Sequence, residues 1–183
     1  EQWFIDVNKP AVTWKGKKQS LKEVMIDVVR SGEINLVPER FNSTYFYWVE
    51  NLQDWCISRQ IWWGHRIPVY YRDDETKVSL QDLDSSEGWK QDPDTLDTWF
   101  SSALWTWSTL VDPEMADDFS LTFEEILERS PDFQKFHPTN IMETGYDILF
   151  FWVARMILMT TYMLQDIPFK TVYLHGLIRT RDG

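Results

Sequence analysis

The segment at 140–163 contains the residues whose types and spacing are best suited to chemistry. An apolar, strand-like stretch ends at Thr144, Gly145 makes a sharp turn, and an almost uncharged run typical of one long helix follows. Ligands of α/β proteins bind where a strand ends in a glycine turn that opens directly into a helix. The first turn of such a helix has free backbone N–H groups and a partial positive charge that favours anions. We therefore expect a ligand site here, with Asp147 at its mouth and Trp152 deeper along the helix.

A second strand is needed beside the first to complete this site. The run at 171–174 follows the helix and has strand character. Strand, turn, helix and strand form a βαβ unit, whose two strands are parallel and joined by a right-handed crossover. The carboxyl ends of parallel strands meet at one edge of a sheet. This topology places residues 144–147 beside His175 and Gly176 at one mouth.

Two capping boxes predict where other helices begin. In such a box, the side chains of Ser20 and Glu23 each satisfy a free backbone N–H of the first turn. The apolar residues of the helix that follows share one face: Leu21, Val24, Met25, Val28 and Val29. We expect that helix to end at Gly32. The second box, at 122–125, predicts a helix that ends near residue 130.

Two more helices are predicted from single capping residues. Asn42 or Ser43 can cap a helix rich in aromatic residues, and Asp97 or Thr98 can cap another that runs through Leu110. These side chains favour the first position because their oxygen accepts a backbone N–H that the helix itself leaves unpaired. Both helices would present large rings to the protein interior.

Three segments are predicted to be irregular. Residues 9–18 form a basic loop, residues 113–118 form an acidic loop, and residues 54–68 combine adjacent tryptophans, glycine, histidine and proline without a clear period. Irregular segments of such composition are often functional. His65 within the last segment is a candidate ligand or catalytic group, although a structural histidine is the favoured interpretation.

The composition excludes several classes of protein. The formal net charge of −11 argues against a general nucleic-acid-binding surface, which would need a basic stripe. Cys56 is the one cysteine, so no internal disulfide can form, and a lone thiol is typical of a reducing, cytoplasmic setting. No signal peptide is visible. The apolar run at 148–163 is shorter than the roughly 20 residues of a membrane span, and Arg155 interrupts it, which indicates a buried helix.

Three blocks of this sequence together resemble the valyl-tRNA synthetases, which belong to the class I aminoacyl-tRNA synthetases. The blocks are DWCISRQIWWGHRIP at 54–68, LDTWFSSALW at 96–105 and TGYDILFFWVARM at 144–156. The similarity covers nearly the whole chain except 73–91 and 113–133. The Gly-Tyr-Asp-Ile run with a following tryptophan separates the valyl group from its isoleucyl and leucyl relatives.

The resemblance implies an α/β fold: the second half of a Rossmann-type parallel-sheet nucleotide-binding domain with an inserted connective α+β region. Residues 1–53 would follow an editing insertion, residues 54–138 would be the connective region, and residues 139–183 would be a truncated βαβ unit of the catalytic core. The family's His-Ile-Gly-His signature is absent from this chain, and its Lys-Met-Ser-Lys-Ser loop would follow Gly183. We therefore expect a fragment that is inactive alone.

The resemblance also implies roles for individual residues, beginning with the amino-acid pocket. Trp99 and Trp152 match the two tryptophans that wall the valine side chain in this family. Taken by themselves, two such rings would be assigned to plain core packing. The resemblance reverses that assignment.

Four residues match the part of the family's site that binds ATP and the adenylate. Asp147 matches the ribose-binding aspartate, Gly145 would allow close approach of the backbone, and His175 and Gly176 match the segment beside the adenine. Without the resemblance, Asp147 is an ordinary carboxylate that favours the helix dipole. No residue is expected to act as a catalytic nucleophile.

The implied ligands are valine, ATP with Mg²⁺, and tRNA(Val), with the rest of the synthetase chain as a partner and no membrane. Many relatives carry a cysteine-rich zinc knuckle where this chain has residues 73–91, which contain no Cys or His. Zinc needs about four such ligands, so no structural zinc is expected. The alternatives are a fragment of an isoleucyl- or leucyl-type synthetase, and a non-catalytic synthetase-like module whose acidic, aromatic-rich surface binds a protein.

Overall fold

The computed structural model describes residues 2–181, which form a mixed α/β structure. The strands are β1 (Phe4–Ile5), β2 (Pro10–Trp14), β3 (Lys17–Ser20), β4 (Asn35–Val37), β5 (Trp55–Cys56), β6 (Ser58–Arg59), β7 (Val69–Arg72), β8 (Glu75–Val78), β9 (Lys90–Gln91), β10 (Thr95–Leu96), β11 (Thr139–Gly145) and β12 (Phe169–His175). The α-helices are α1 (Leu21–Arg30), α2 (Phe41–Glu50), α3 (Thr98–Ser102), α4 (Trp105–Ser108), α5 (Pro113–Ala116), α6 (Phe123–Glu128), α7 (Pro131–Phe136) and α8 (Ala154–Leu164).

The central sheet consists of three parallel strands in the order β11-β12-β4. β11 and β12 flank the long helical segment, so the predicted βαβ unit with parallel strands is confirmed. Their register pairs Thr139 with Phe169 at one end and Gly145 with His175 at the other. The carboxyl ends of both strands therefore lie at the same edge of the sheet, where the glycine turn begins.

Helix α1 begins where its capping box predicts. Ser20 Oγ accepts the N–H of Glu23 at 3.2 Å, and the Glu23 carboxylate accepts the N–H of Ser20 at 2.7 Å. All five apolar residues predicted to share a face are buried, and α1 packs against α2 and α8. Gly32 follows the helix with a φ of +80°, a left-handed conformation that glycine adopts without steric cost. The main core lies between α1, α8 and the parallel sheet and contains Met25, Val28, Met156, Ile157, Phe169 and Val172.

The segment between β11 and β12 was predicted as one long α-helix, and the structure corrects this. Tyr146–Ile148 is a 3₁₀ turn, Leu149–Val153 is π-helical, and α8 begins only at Ala154. A π turn accommodates one extra residue in a helix and is frequent at functional sites. The three helical forms bury similar apolar faces, so hydrophobic spacing alone does not separate them.

This helical segment is long and apolar enough, by length and composition alone, to cross a membrane. Half of its most apolar window is buried inside the protein, and the core helix of a folded domain satisfies the same criteria. Ala154, Met156 and most residues through Thr161 are buried, because α8 packs against α1 and α4. This packing agrees with the prediction of a buried helix.

The basic loop predicted at 9–18 is instead the β2-β3 hairpin. Lys15 and Gly16 both have positive φ, 48° and 77°, which matches the two-residue turns that join twisted antiparallel strands. Val12 and Trp14 alternate with exposed neighbours and are buried. The basic and turn-forming residues of this stretch obscured that alternation in the sequence.

Other local predictions needed correction. The helix predicted to run from Asp97 through Leu110 is divided into α3 and α4, although Asp97 does cap it by accepting the N–H of Trp99 at 3.3 Å. Thr106 in α4 bonds Thr160 in α8 through their hydroxyls at 3.2 Å, and such tertiary contacts override local continuity.

The predicted acidic loop at 113–118 contains α5, because Pro113 at its first position and the Asp112 cap favour a helix.

The remaining capping predictions have mixed outcomes. Neither Asn42 nor Ser43 caps α2, which begins at Phe41 without a side-chain cap. The second capping box is formed: Thr122 Oγ1 accepts the N–H of Glu125 at 3.2 Å, and the carboxylate of Glu125 accepts in return at 2.8 Å. The small antiparallel sheet β8-β7-β9 is formed by residues that lie in the sequence between the blocks at 54–68 and 96–105.

Candidate functional site

Trp99 in α3 and Trp152 in the π-helical segment line the same cavity. The cavity has a volume of about 320 Å³, and its other lining residues are Ser102, Trp105 and Ile148. A predominantly apolar wall of this kind suits an apolar ligand group rather than a charged one. The fold thus brings together the two tryptophans that were predicted to form one pocket from distant positions in the sequence.

Contacts between the two elements fix both indole rings. Trp152 Nε1 donates to the carbonyl of Ser102 at 3.0 Å, and its ring centroid lies 5.8 Å from that of Trp105. Trp99 stacks on Phe151, with centroids 6.0 Å apart and planes inclined by 26°. Each ring therefore contacts the element that carries the other. Walls held in this way lose little conformational entropy when a ligand binds.

Three residues of this cavity, Ser102, Ile148 and Trp105, were not assigned from the sequence. Ile148 follows Asp147 directly in the helix-opening turn, and Trp105 begins α4. Both lie within the blocks that carry the family resemblance, so that resemblance was the signal that could have identified them. Helical spacing offered a second signal for Ile148, which lies four residues before Trp152.

The carboxyl edge of the parallel sheet forms the second part of the site. A Cβ atom on Gly145 would lie 2.5 Å from Asp147 Oδ1, 3.1 Å from Leu177 Cδ2 and 3.6 Å from His175 Cε1. Any residue with a side chain at position 145 would therefore displace the carboxylate of Asp147, whereas glycine does not. Asp147 itself is exposed at this edge, so its oxygens are accessible to a ligand.

His175 and Gly176 complete this edge. The ring nitrogen Nδ1 of His175 lies 2.8 Å from the carbonyl of Gly176. A carbonyl oxygen only accepts hydrogen bonds, so this contact requires the tautomer in which Nδ1 carries the proton. A Cβ on Gly176 would meet no atom within 4 Å. The structure brings Gly145, Asp147, His175 and Gly176 to one edge, and their predicted binding roles are proposals taken up below.

A buried ion-pair cluster joins α3 to α8. Asp97 Oδ2 accepts from Arg155 Nη1 at 3.0 Å, from Arg59 Nη2 at 3.1 Å and from Trp55 Nε1 at 3.1 Å. Burial lowers the pKa of the Arg155 guanidinium, and the Asp97 carboxylate opposes that shift. An arginine keeps its proton in proteins, so this cluster contains a buried negative charge held between two positive ones.

Within residues 2–181 no three His, Cys, Asp or Glu side chains are grouped so that they could hold a metal ion. The absence of structural zinc therefore stays a prediction. Mg²⁺ binds through few protein carboxylates together with phosphate oxygens of a nucleotide. Among Gly145, Asp147, His175 and Gly176, the residue that carries a carboxylate is Asp147.

The predicted irregular segment at 54–68 contains the short strands β5 and β6, and its exposed part is 60–66, which includes His65. His65 is exposed, and its carbonyl accepts the N–H of Leu96 at 2.7 Å. Trp62 and Trp63 beside it are 98% and 86% exposed. These residues do not line the cavity of Trp99 and Trp152, and the structure gives His65 no role in it.

Comparison with known proteins establishes the family. The family model described as tRNA synthetases class I (I, L, M and V) matches residues 1–87 and 77–183. The chain belongs to the class I tRNA synthetases, as its three sequence blocks predicted.

The similar curated proteins are valine–tRNA ligases. That of Clostridium tetani is 51% identical over 177 residues, which are 93% of this chain and 18% of that protein. That of Bacillus subtilis is 45% identical over 185 residues, which are 100% of this chain and 18% of that protein. The chain thus spans less than a fifth of the length of these relatives.

Two solved structures share the fold. The methionyl-tRNA synthetase of Mycobacterium tuberculosis bound by methionyl-adenylate has a TM-score of 0.59 and 14% identity, covering 87% of this chain and 25% of that one. The LeuRS of Agrobacterium radiobacter K84, in a ternary complex with tRNA and LeuAMS, has a TM-score of 0.52 and 19% identity, covering 72% of this chain and 20% of that one. The predicted α/β fold class is confirmed.

Proposed function

We propose that this chain supplies the valine side-chain pocket and part of the adenosine site of a valine–tRNA ligase. The enzyme would activate valine with ATP to valyl-adenylate in the cytoplasm and transfer it to tRNA(Val). One observation carries the proposal: Trp99 and Trp152 line a single apolar cavity, and Ile148 on its wall directly follows Asp147 at the sheet edge. Amino-acid side chain and nucleoside would therefore bind in adjacent positions.

The cavity suits a small branched aliphatic side chain. The indole rings of Trp99 and Trp152 and the side chain of Ile148 line the cavity and provide dispersion contacts to an apolar group. An extra methylene, as in isoleucine, is disfavoured by collision with fixed rings. Threonine is rejected only about a hundredfold, because an apolar pocket discriminates weakly against an added hydroxyl, a limit for which valyl-tRNA synthetases are a standard example.

The sheet edge suits the ribose and adenine of ATP. The exposed carboxylate of Asp147 can accept hydrogen bonds from two neighbouring ribose hydroxyls. Gly145 has no Cβ that would collide with that carboxylate, whose Oδ1 lies 2.5 Å from where the Cβ would be. His175 pairs in register with Gly145, which supports assigning the contact with the base to His175 and the adjacent Gly176.

The proposed chemistry is adenylyl transfer. A carboxylate oxygen of valine attacks the α-phosphorus of ATP, a new P–O bond forms, and the bond to pyrophosphate breaks. The adenylate then passes its valyl group to a ribose hydroxyl of the tRNA, which releases AMP. No side chain of this chain acts as a nucleophile. Its residues accelerate the reaction by holding the reacting groups in place.

Amino-acid-dependent exchange of pyrophosphate into ATP tests the proposal in a full-length synthetase that carries these residues. Valine should support the fastest exchange, threonine should be weaker by about a hundredfold, and isoleucine should be weaker still. Faster exchange with isoleucine or leucine would identify an isoleucyl- or leucyl-type enzyme. Exchange with none of the amino acids would favour a non-catalytic interaction module.

A further inference from the structure

The Asp97 carboxylate connects the two helical elements that lie next to the pocket tryptophans. Its Oδ1 accepts the N–H of Trp99, two residues further along, at 3.3 Å. Its Oδ2 accepts from Arg155, three residues after Trp152, at 3.0 Å. One carboxylate therefore bonds the first turn of α3 and the first turn of α8 at the same time.

This link is sheltered and held from several sides. The side chain of Asp97 is 6% exposed and that of Arg155 is 16% exposed. The Arg155 guanidinium lies 4.2 Å from the centroid of the Trp55 ring, whose Nε1 donates to the same carboxylate. Arg59 adds a second positive charge at 3.1 Å from Asp97 Oδ2. Desolvated pairs of this kind are screened weakly by salt and have well-defined geometry.

Neither charged side chain lines the cavity between the tryptophans, so neither contacts a ligand there. A buried ion pair contributes little net stability compared with an apolar replacement of similar volume, and its best-supported benefit is a defined arrangement. A hydrogen bond from Trp152 Nε1 to the Ser102 carbonyl also links α3 to the helical segment that precedes α8.

We propose that Asp97 and Arg155 are positioning residues that set the spacing of Trp99 and Trp152 and thereby the selectivity of the pocket for a small branched side chain. This inference rests on the proposed function and extends it from the residues that would touch valine to the pair that holds them. Loss of the pair should allow α3 and α8 to separate slightly and the pocket to admit larger side chains.

The central variant is Asp97→Asn in a full-length synthetase that carries these residues. Asparagine still caps α3 well but removes the negative charge. We expect the KM for valine to rise about tenfold, the KM for ATP to stay within about twofold, and the preference for valine over isoleucine in kcat/KM to fall about fivefold, in line with loss of orientation rather than of a direct contact. Arg155→Lys, which keeps the charge but not the planar fork, should give a smaller change in the same direction.

Two comparisons separate positioning from general destabilisation. Val28→Ala removes two methyl groups from a fully buried site in α1 and should lower the Tm without changing the preference for valine. The double variant Asp97→Asn with Arg155→Met removes both members of the closest pair. It should recover much of the Tm lost in Asp97→Asn while selectivity stays low. Equal selectivity in Val28→Ala and Asp97→Asn, or full recovery of selectivity in the double variant, would overturn the inference.

A readout that does not depend on activity distinguishes failure of this inference from failure of the proposed function. The ¹⁹F resonances of 5-fluorotryptophan at positions 99 and 152 should shift in Asp97→Asn with no amino acid added, because the rings move. Unchanged resonances would contradict the positioning role whatever the enzyme does. Absence of valine-dependent exchange in the unmodified protein would contradict the proposed function alone.

Discussion

Asp147 and Trp152 lie in consecutive turns of one helical segment but belong to different parts of the candidate site. Trp152 lines the apolar cavity and is fixed by its hydrogen bond to Ser102. Asp147 is exposed at the sheet edge beside Gly145. The proposed function therefore assigns them to different substrates, and substitutions at the two positions should affect different kinetic constants.

Trp152→Ala should raise the KM for valine by about a hundredfold, since even one methylene in a fitted pocket is worth about tenfold or more, and should leave the KM for ATP nearly unchanged. Asp147→Ala should raise the KM for ATP by about tenfold or more through loss of charge-assisted hydrogen bonds and affect valine less. Pyrophosphate exchange at varied concentrations of each substrate measures both. Equal effects of Trp152→Ala on both substrates would count against the pocket, and the reverse ranking for Asp147→Ala would count against the ribose contact.

Gly145→Ala tests the close approach at the turn. The added Cβ would lie 2.5 Å from Asp147 Oδ1, and a carboxylate at the end of a side chain can rotate away at small cost. We therefore expect a Tm close to that of the unmodified protein but a KM for ATP that rises toward the value of Asp147→Ala. Gly176→Ala is the matched control for stability, since its Cβ would meet no atom within 4 Å. A large loss of Tm in Gly145→Ala with normal ATP binding would contradict this explanation.

At the scale of elements, α1 illustrates how local sequence and packing agree. Its capping box, its apolar face and its terminal glycine were all apparent in the sequence and are all present in the structure. α1 packs against α8, the helix that extends from the candidate site. The helix start at Ser20 is therefore connected to the core that supports the cavity.

Ser20→Ala should lower the free energy of unfolding by about 1 kcal/mol, because the backbone N–H of Glu23 in the first turn of α1 loses the Ser20 hydroxyl as its acceptor. Urea unfolding followed by tryptophan fluorescence measures this change. Thr122→Ala is the matched control: it removes the same motif from α6, a helix of six residues whose capping threonine is exposed. That change should cost less, within about 0.5 kcal/mol. A larger effect at Thr122 than at Ser20 would show that α6 contributes more to the core than its position indicates.

The π-helical segment Leu149–Val153 shows the opposite situation, in which tertiary structure changes a local prediction. A regular α-helix from residue 146 would direct Ile148 and Trp152 differently relative to α8. In the structure Ile148 and Trp152 line one cavity, while Ala154 and residues 156–161 are buried. Departures from regular geometry of this kind are expected at functional sites.

At the scale of the whole molecule, His137 gives stability a defined dependence on pH. Its side chain is 4% exposed, its ring stacks on Phe133 at 4.6 Å, and neither ring nitrogen has a hydrogen-bond partner among the described residues. Burial lowers the pKa of His137, and the Asp166 carboxylate 3.7 Å from Nε2 opposes this in part. As the pH falls, His137 is therefore protonated at a higher pH in the unfolded chain than in the folded protein.

The sign of the effect follows from this order of protonation. The contribution of neutral His137 is fully present above the unfolded pKa of about 6.5 and is lost as the pH falls below it. His137→Phe, which keeps a ring against Phe133, should flatten the decline in unfolding free energy between pH 7 and pH 5. Asp166→Asn, which removes the opposing carboxylate, should steepen it. Urea unfolding across this range measures all three proteins, and an unchanged slope in His137→Phe would contradict the assignment.

Much of the fold was predictable because the relevant signals are local. The parallel βαβ unit, the α1 helix with its buried face, and the meeting of Gly145 with His175 all follow from short-range patterns and the topology of adjacent strands. The β2-β3 hairpin was missed because its turn residues and lysines resemble a loop. The break between α3 and α4 was missed because the sequence across it contains no proline or glycine to mark the end of a helix.

The sequence by itself determined the family, the parallel strands and the identity of Trp99, Trp152 and Asp147 as candidates, since residue type and order along the chain carry that information. Only the tertiary structure decided that Ile148 and Trp105 share the cavity and that Asp97 joins Arg155 behind the α3 cap. Those relations depend on how separate helices are oriented, and orientation results from packing across the core rather than from spacing along the chain.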